Sequence, residues 1–282
     1  MSFFDQILQS TAREIAVAEK QRSVAELKRM IPDAPPLTSF RSALRSGFGI
    51  IAELKRRSPS AGEMRPENFE NAPLAYAKSP IVKAVSVLTN ATHFGMGIDE
   101  LTRIRPLVRK PVLRKEFILK EYQVYEARAF GADAILLMAN VLDAQALSRL
   151  FDLARELGID VLFEVHERAE IEKIPSGAQI YGVNSRKFKH ADRWRPAKSM
   201  LETDPGASHK AADPSVDLQI FSLIENLPRN AIKVAESGVK PAQADWVRQQ
   251  GYDSILIGTS LLKDPAGIES ALSQFEQTLA RA

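Results

Sequence analysis

The sequence of 282 residues predicts an α/β protein, a closed (β/α)8 or TIM barrel with an extra N-terminal helix. Eight short apolar runs alternate with amphipathic stretches, and such alternation is typical of parallel strands joined by right-handed helical crossovers. Most successive runs begin roughly 20–33 residues apart, as βα units require. The length also fits, because one barrel of this kind needs about 250 residues.

The segment before the first strand carries an amphipathic helical pattern. We expect one helix over residues 4–31, ended by Asp33-Ala34-Pro35-Pro36, because prolines cannot continue a helix. Residues 1–47 then form a helical extension and residues 48–282 the barrel, together a single domain over 1–282. The expected strands lie near 48–55, 81–89, 111–117, 134–140, 160–166, 179–185, 232–238 and 254–260. Among the expected helices are Glu121 to Phe130, Ala144 to Leu157 and Pro241 to Gln250.

Composition and charge exclude several classes of function. The net charge is only +3 and the basic residues are scattered, so we expect no nucleic-acid partner. The chain has no cysteine, and its four histidines lack metal-ligand spacing, so we expect no disulfide and no metal. The sequence shows neither a secretory leader nor an apolar run long enough to cross a bilayer. We therefore expect a cytoplasmic protein without membrane contact.

The end of the first strand, Ile50 to Ser60, is the most informative segment. Side chains alternate between two faces of a strand, so Glu53 and Lys55 share a face with Ile51. Charges are rare on the inner face of a buried strand because burying an unpaired charge is costly. The exception is the C-terminal end of a barrel strand, which opens into the active site. A surface ion pair explains this segment, taken alone, equally well.

Other strands carry polar residues at the same inward position near their C-terminal ends. The complete set is Glu53, Lys55, Lys115, Glu164, Asn184, Arg186 and Glu236. Three cations suit a substrate with two anionic groups. Carboxylates beside ammonium groups suit proton transfer, because each group shifts the pKa of the other. We therefore favour an active site at the barrel mouth over an ionic network that only stabilises the fold.

Two glycine-containing turns follow strands seven and eight. They are Glu236-Ser237-Gly238 and Ile257-Gly258-Thr259-Ser260. Barrels of this class commonly bind phosphate at these two places, although each glycine alone is explained as a turn residue. Apolar side chains near the mouth fit an aromatic ring, although core packing explains each of them singly. These side chains are Phe94, Phe117, Leu137 and Phe188.

One interval, between Ser185 and Ile232, is longer than a βα unit needs. We expect a long loop at 190–218, after strand six and on the catalytic face. We favour a tolerated surface insertion, because lengthening a loop costs little free energy. The alternative is a lid that closes over the substrate.

These residues together closely resemble the indole-3-glycerol phosphate synthase family, in order along the chain from residue 4 to near its end. The matching segments are Ala52 to Lys55, Ser58 to Ser60, Ser86 to Thr89 with Phe94, Val112 to Phe117, Gln123 to Arg128, Gly131 to Ala134, Glu164 to His166, Asn184 to Arg186, Glu236 to Gly238 and Leu256 to Gly258. The chain departs from the usual family pattern at Ala61, at Glu116 in place of Asp and at Ser185 in place of a common Asn, and in the long segment after strand six.

The resemblance implies a reaction without a cofactor or metal on a small anionic aryl-amino sugar phosphate. That substrate, 1-(2-carboxyphenylamino)-1-deoxyribulose 5-phosphate, gives indole-3-glycerol phosphate by ring closure, decarboxylation and dehydration in tryptophan biosynthesis. The implied catalytic residues are Lys115, Glu164, Glu53, Lys55 and Asn184. The implied substrate-binding residues are Ser58, Phe94, Phe117, Leu137, Arg186, Phe188, Glu236, Ser237 and Leu256. The implied phosphate-binding residues are Lys55, Ser237, Gly238, Gly258 and Thr259.

Roles within that set follow from the same resemblance. Lys115 would protonate the ribulose carbonyl, and Glu164 would act in the dehydration with Glu53 close by. Lys55 and Arg186 would hold the carboxylate, and how the two lysines divide the acid roles stays open. We expect a monomer. The alternatives are a phosphometabolite- or protein-binding barrel without catalysis and a phosphosugar isomerase, which needs no pocket for an aryl ring.

Overall fold

The computed structural model describes residues 3–186 and 216–280. Eight parallel strands close into a barrel in which each strand pairs with the next along the chain and the last pairs with the first. The predicted (β/α)8 barrel is confirmed, and all eight predicted strands are present. Numbered one to eight, they are Gly49–Leu54, Val82–Leu88, Val112–Lys115, Ala134–Met138, Asp160–Val165, Ile180–Asn184, Ile232–Glu236 and Ser254–Ile257.

Helices pack on the outside of the barrel through apolar faces. In helix Ala144–Glu156, Leu147 is fully buried and the ring of Phe151 packs edge-on against Phe163 of strand five, with centroids 5.4 Å apart. Burying each such side chain contributes about 1.5–3 kcal/mol. The α-helices are Phe3–Gln21, Val24–Met30, Phe40–Arg45, Pro66–Lys78, Ala91–Phe94, Asp99–Val108, Glu121–Ala129, Ala144–Glu156, Arg168–Ile171, Pro241–Gln249, Thr259–Leu262 and Ile268–Ala280. The 3-10 helices are Ile31–Asp33 and Leu218–Asn226.

The strand register sets which side chains meet inside the barrel. Residues paired across parallel strands point to the same side of the sheet. Met138 pairs with Glu164, and Glu236 pairs with both Asn184 and Leu256. Since Glu164, Glu236 and Asn184 point inward, their neighbours in the register do so as well. The register therefore gathers side chains from distant parts of the sequence at one level of the barrel.

The N-terminal segment differs from the single helix predicted over residues 4–31. The first helix ends at Gln21 and a second begins at Val24. Ser23 separates them with a capping box, in which its N–H donates to the Glu26 carboxylate at 2.7 Å and its Oγ accepts from the Glu26 N–H at 3.3 Å. Capping satisfies the backbone groups that a helix start leaves unpaired. The capping box therefore interrupts the helix at Ser23, although the amphipathic pattern of the sequence continues through it.

The first helix lies against the C-terminal mouth of the barrel. The ring of Phe4 packs edge-on against Phe117, which follows strand three, with centroids 5.8 Å apart. Asn90, after strand two, donates to Thr11 Oγ at 3.0 Å, and Ser10 Oγ lies 2.7 Å from His93 Nε2. The N-terminal extension therefore supports segments that reach the barrel mouth.

Most of the long loop predicted at 190–218, together with Phe188, lies outside the described residues. After it, Val216 forms an antiparallel bridge with Arg186, and the Asp217 side chain caps the 3-10 helix that begins at Leu218. A two-stranded hairpin, Arg57–Ser58 with Gly62–Glu63, follows strand one. Within residues 3–186 and 216–280, no helix is long and apolar enough to span a membrane.

Candidate active site

A cavity of about 330 Å³ opens at the C-terminal ends of the barrel strands. Strand ends and the loops that follow them supply its wall, so residues far apart in sequence meet there. The lining residues are Glu53, Lys55, Leu88, Phe94, Lys115, Glu116, Phe117, Leu136, Met138, Glu164, Asn184, Arg186, Ser237, Gly238, Val239, Lys240, Leu256, Ile257, Gly258, Thr259 and Ser260. Most of the site residues predicted from sequence are in this wall.

Lys115 lies at the centre of the polar part of the wall. Its ammonium donates to Glu236 at 2.9 Å and to Glu164 at 3.1 Å. Burial alone would lower the pKa of Lys115, but the carboxylates of Glu164, Glu236 and Glu53 outweigh it and hold that pKa well above its ordinary value. Lys115 is therefore a charged ammonium that faces the cavity and bonds to two acidic side chains.

The pKa values of the two acidic partners of Lys115 are shifted in different directions. Burial and the neighbouring charge of Glu164 raise the pKa of Glu236 to about 8, against the opposing effect of Lys115. Burial also disfavours the charged form of Glu164, but Lys115 and His166 overcome it and lower the pKa of Glu164. Two carboxylates that share one ammonium do not both ionise readily. The pKa values of the two carboxyls are thus shifted in opposite directions, downward for Glu164 and upward for Glu236.

Glu53 and Lys55 form a second buried pair at the end of strand one. The Lys55 ammonium donates to Glu53 Oε1 at 2.6 Å, and each side chain is 6% exposed. Burial and the charges of Arg186 and Lys115 lower the pKa of Lys55 against the effect of Glu53. The pKa of Glu53 is also lowered, because Lys55 and Lys115 together exceed the effect of burial. The two lysines of the site therefore have pKa values shifted in opposite directions.

Arg186 and Asn184 approach the cavity from the end of strand six. Asn184 Oδ1 accepts from the Arg186 backbone N–H at 3.0 Å, which holds the amide in place. The Arg186 guanidinium donates to Ser60 Oγ at 3.0 Å and so joins strand six to the hairpin after strand one. A guanidinium with further donors facing a cavity suits a planar carboxylate.

Two backbone turns form the other side of the cavity. Ser237 and Gly238 both have left-handed backbones, with φ of 69° and 70°. Gly258 lies against Glu53: a Cβ at residue 258 would come within 2.5 Å of Glu53 Oε1 and 2.8 Å of its Cβ. The next residue, Thr259, has a buried hydroxyl that makes no hydrogen bond within the described parts of the chain. Backbone N–H groups and hydroxyls gathered in this way suit a phosphate group.

One of the apolar residues predicted to hold an aromatic ring does not line the cavity. Phe94, Phe117 and Leu256 line the cavity as predicted, but Leu137 is fully buried and does not. Its neighbours Leu136 and Met138 line the cavity instead. A one-residue shift along a strand reverses the face. The all-apolar run at Ala134–Met138 has no polar residue to reveal which face is inside.

Two further predicted residues stand outside the wall. Ser58 is buried in the hairpin turn, where its Oγ accepts from the Ala61 N–H at 3.1 Å, so its hydroxyl serves the turn. Glu236 is fully buried and accepts a hydrogen bond from the Lys115 ammonium. It does not itself line the cavity, although Lys115 does. Phe188 lies outside the described residues.

Some wall residues escaped sequence analysis. Leu88 pairs with Lys115 in the register, a relation that appears only once strands two and three are aligned. Lys240 reaches the cavity from just after the Ser237 turn, in a loop without periodicity. Glu116 accepts from Phe117 N–H at 2.9 Å and Thr89 Oγ at 3.0 Å, and burial raises its pKa. Leu88 and Glu116 lie in segments that match the family, but the sequence analysis assigned no role in the site to either of them or to Lys240.

His166, to which sequence analysis assigned no role, lies beside Glu164. Its Nε2 is 3.6 Å from Glu164 Oε1, and its Nδ1 is 3.8 Å from Glu170 Oε2. The Glu170 carboxylate accepts from the His166 backbone N–H at 2.6 Å, while burial raises the pKa of Glu170 to about 7. Over the described ranges, no group of three or more acidic or histidine side chains is placed to hold a metal ion.

Solved structures confirm the architecture. Thiamine phosphate pyrophosphorylase from Pyrococcus furiosus superposes with a TM-score of 0.56 and 16% identity, covering 86% of this chain and 98% of that one. 3-Hexulose-6-phosphate synthase from Salmonella typhimurium gives 0.56 and 13% identity, covering 83% and 99%. At these identities the likeness concerns the fold alone.

Sequence relatives are far closer. The indole-3-glycerol phosphate synthase of a Nocardioides species is 37% identical over 272 residues, which cover 94% of each chain. That of Bacteroides thetaiotaomicron is 35% identical over 266 residues, which cover 92% of each chain. Residues 4–192 also match the family described as indole-3-glycerol phosphate synthase. The chain therefore belongs to the indole-3-glycerol phosphate synthase family.

Proposed function

We propose that this chain converts 1-(2-carboxyphenylamino)-1-deoxyribulose 5-phosphate into indole-3-glycerol phosphate, as a carboxy-lyase of tryptophan biosynthesis. The observation that carries the proposal is the Lys115 ammonium, which bonds to Glu164 and Glu236 inside a cavity that also contains Lys55 and Arg186. Neither a binding module nor an isomerase requires this combination of a buried proton-transfer group with an apolar wall.

Lys115 would serve in the ring closure. The aryl carbon bearing the carboxylate attacks the ribulose carbonyl, and the carbonyl oxygen must gain a proton as the new C–C bond forms. Its neighbours keep Lys115 charged, so its ammonium can hydrogen-bond to the carbonyl oxygen and stabilise the developing oxyanion, while the raised pKa makes it a weaker proton donor than an ordinary lysine. Lys55, with its lowered pKa, is the second candidate donor in the same cavity.

Glu164 would serve in the later steps. Ring closure leaves a cationic ring that accepts the electrons released as CO2 departs, so decarboxylation needs no further electron sink. Loss of water then requires an acid at the leaving hydroxyl and a base at the neighbouring proton. Glu164 is ionised by its cationic neighbours and suits the base, while Glu53 lies near Lys55 and Lys115 and assists on the other side.

The charges of the wall match the proposed substrate. The substrate carries a carboxylate and a phosphate, and the wall provides the cations of Lys55, Lys115 and Arg186. Arg186 would take the carboxylate in a bidentate contact, and Asn184 would orient the substrate. The phosphate would lie against the turns that contain Ser237, Gly238, Gly258 and Thr259, with Lys55 within reach. Any residue larger than glycine at position 258 would clash with Glu53.

The apolar wall would hold the aryl ring. Phe94 and Phe117 provide aromatic faces, and Leu136, Met138 and Leu256 complete the surface. Aromatic rings gain from edge-to-face contact in addition to the area they bury. Phe117 is itself supported by Phe4 of the first helix, so the extension contributes to the aryl pocket.

The direct test is an assay of the purified protein with the proposed substrate. Indole fluorescence should appear and be accompanied by one CO2 for each indole formed. The Lys115→Met variant is the matched control, because it keeps a side chain of similar length but removes the ammonium group. A wild-type protein that produces no indole would contradict the proposal.

We also propose that the chain acts as a monomer in the cytoplasm and that 1–282 form one domain. The single closed barrel, from strand Gly49–Leu54 to strand Ser254–Ile257, supports the proposal of one domain. Light scattering during size-exclusion chromatography tests the monomeric state, and activity that depends on protein concentration would contradict it.

A further inference from the structure

The turn after strand seven has a backbone that an ordinary residue avoids. Ser237 has φ of 69° and is one of two non-glycine residues with positive φ in the described ranges. A side chain with a Cβ pays a conformational penalty in the left-handed region, so the surroundings must hold it there. The following residue, Gly238, is left-handed too, with φ of 70°. Two consecutive left-handed residues define the shape of this turn.

Ser185, at the end of strand six, is bonded to that turn. Its hydroxyl donates to the Ser237 carbonyl oxygen at 2.9 Å. Its own backbone is fixed on both sides, because its N–H donates to the Glu236 carbonyl at 2.9 Å and its carbonyl accepts from Asp217 N–H at 3.0 Å. Ser185 is fully buried and does not line the cavity. It therefore cannot touch a ligand in the cavity and can act only through Ser237.

The rest of the turn is held from two other directions. The Ser237 N–H donates to the Leu256 carbonyl at 3.1 Å, which ties the turn to strand eight. Val216 closes over Gly238, where an added Cβ would come within 3.1 Å of Val216 Cγ2. Within the described residues the Gly238 N–H donates to no backbone acceptor. This N–H thus remains for a ligand, and its direction depends on the peptide that Ser185 holds.

We infer that Ser185 is a positioning residue, whose hydrogen bond to the Ser237 carbonyl holds the Ser237–Gly238 turn in the shape that receives the phosphate group of the substrate. The inference rests on the proposed function, since it deepens the assignment of this turn to phosphate. It predicts a defect that is confined to phosphate recognition. A residue that only stabilises the fold would affect every ligand of the cavity alike.

Two probes separate these possibilities without any turnover. Inorganic phosphate reports on the turn, and 2-aminobenzoate, which has the carboxylate and the aryl ring but no phosphate, reports on the rest of the cavity. The variants are Ser185→Ala, which removes the donor, and Ser185→Asn, which supplies a different donor. The matched control is Ser254→Ala, because Ser254 is equally buried and its hydroxyl makes no hydrogen bond within the described chain.

We expect Ser185→Ala to weaken inorganic phosphate binding by about five-fold, the effect of losing one ordinary hydrogen bond. The KM for the phosphorylated substrate should rise by a similar factor while kcat stays within about two-fold. Ser185→Asn should recover most of the phosphate affinity, and Ser254→Ala should bind both probes as the wild type does. Binding of 2-aminobenzoate should be unchanged in all three variants.

Equal weakening of both probes by Ser185→Ala, or no weakening of phosphate, would overturn the inference. Nuclear magnetic resonance of the Gly238 amide during the phosphate titration provides the local readout. If Ser185→Ala does not fold, Ser185→Cys replaces it, because a thiol keeps the volume but donates weakly. Failure of the proposed function is distinct: the wild type would then make no indole, whereas the two probe affinities would still report on Ser185.

Discussion

Gly182 and Glu236 share one small volume inside the barrel. A Cβ on residue 182 would overlap Oε1 of the Glu236 carboxyl and come within 3.0 Å of its Cδ. Gly182 is the register neighbour of Glu164, and the space left by its missing side chain is occupied by the Glu236 carboxyl. The absence of a side chain at 182 is therefore what allows Glu236 to reach the Lys115 ammonium, which also bonds to Glu164.

The first prediction follows from that overlap. Gly182→Ala should displace the Glu236 carboxyl and with it Lys115, and kcat should fall by about 10–10², because displacements of about 1 Å in an active site have effects of this size. The free energy of unfolding should fall by about 1–3 kcal/mol from overpacking. Steady-state kinetics and urea denaturation measure both quantities. Gly177→Ala is the control, since its Cβ would meet Phe151 at an ordinary 3.4 Å; an equal loss of kcat there would refute the explanation.

The second prediction concerns the proton donor. Lys115→Met should lower kcat by about 10²–10⁴, the range for a general acid. Lys55→Met should mainly raise KM if Lys55 holds an anionic group of the substrate. Single-turnover kinetics with both variants divides the acid role between the two lysines. Lys78→Met removes an exposed lysine and is the control. A Lys115→Met enzyme with more than half of the wild-type kcat would end the assignment.

The third prediction compares the two acidic partners. Because the pKa of Glu236 is raised to about 8, its carboxyl is mostly protonated at neutral pH, and a neutral amide is a close substitute. Glu164 has a lowered pKa and acts as a carboxylate, which an amide does not replace. At pH 7, Glu236→Gln should lose less than about ten-fold in kcat, whereas Glu164→Gln should lose about 10²–10⁴. Equal losses would show that the two carboxyls have the same protonation.

The fourth prediction is the effect of Glu236 on stability against pH. A glutamate in the unfolded chain has a pKa of about 4.3, whereas burial and Glu164 raise the pKa of Glu236 in the folded protein to about 8. Between these values the folded state binds more protons than the unfolded state. The contribution of Glu236 to the free energy of unfolding is therefore complete below about pH 4.3 and is lost as the pH rises to about 8.

Glu236→Gln removes this titration. The free energy of unfolding should decline less between pH 5 and pH 8 in Glu236→Gln than in the wild type, as measured by urea denaturation at several pH values. Glu67→Gln, at an exposed position, is the control and should follow the wild type. A parallel decline in Glu236→Gln and wild type would contradict the raised pKa.

The sequence predicted the barrel because its signals were local and repeated. Each strand carried its own apolar run, and the face alternation around Glu53 and Lys55 was readable because charges interrupt that strand. Leu137 was misplaced for the opposite reason, since an all-apolar run has no residue that marks its inner face. The break at Ser23 was missed because a capping box competes with an amphipathic pattern that continues through it.

Features that depend on packing between strands could not be predicted from the sequence. The position of Glu236 behind Lys115 requires the register of strands seven and three around a closed barrel. Ser185 looked like a departure from the family pattern beside the site, and only the position of the Ser237 carbonyl shows what its hydroxyl does. The pKa values have the same origin, because they depend on burial and on charges brought from other strands.

The fifth prediction tests the match between Arg186 and the aryl carboxylate. One Nη of Arg186 already donates to Ser60, which fixes the plane of the guanidinium and leaves its other donors for a planar anion. Lysine provides a single point of charge and cannot form the paired contact. Arg186→Lys should therefore weaken binding of 2-aminobenzoate by about ten-fold, within the range for a charged hydrogen bond. Aniline, which lacks the carboxylate, should bind both proteins equally in a calorimetric titration. An equal loss for both ligands would mean that the substitution disturbs the pocket as a whole, and then another cation of the wall, Lys55, would be the partner of the carboxylate.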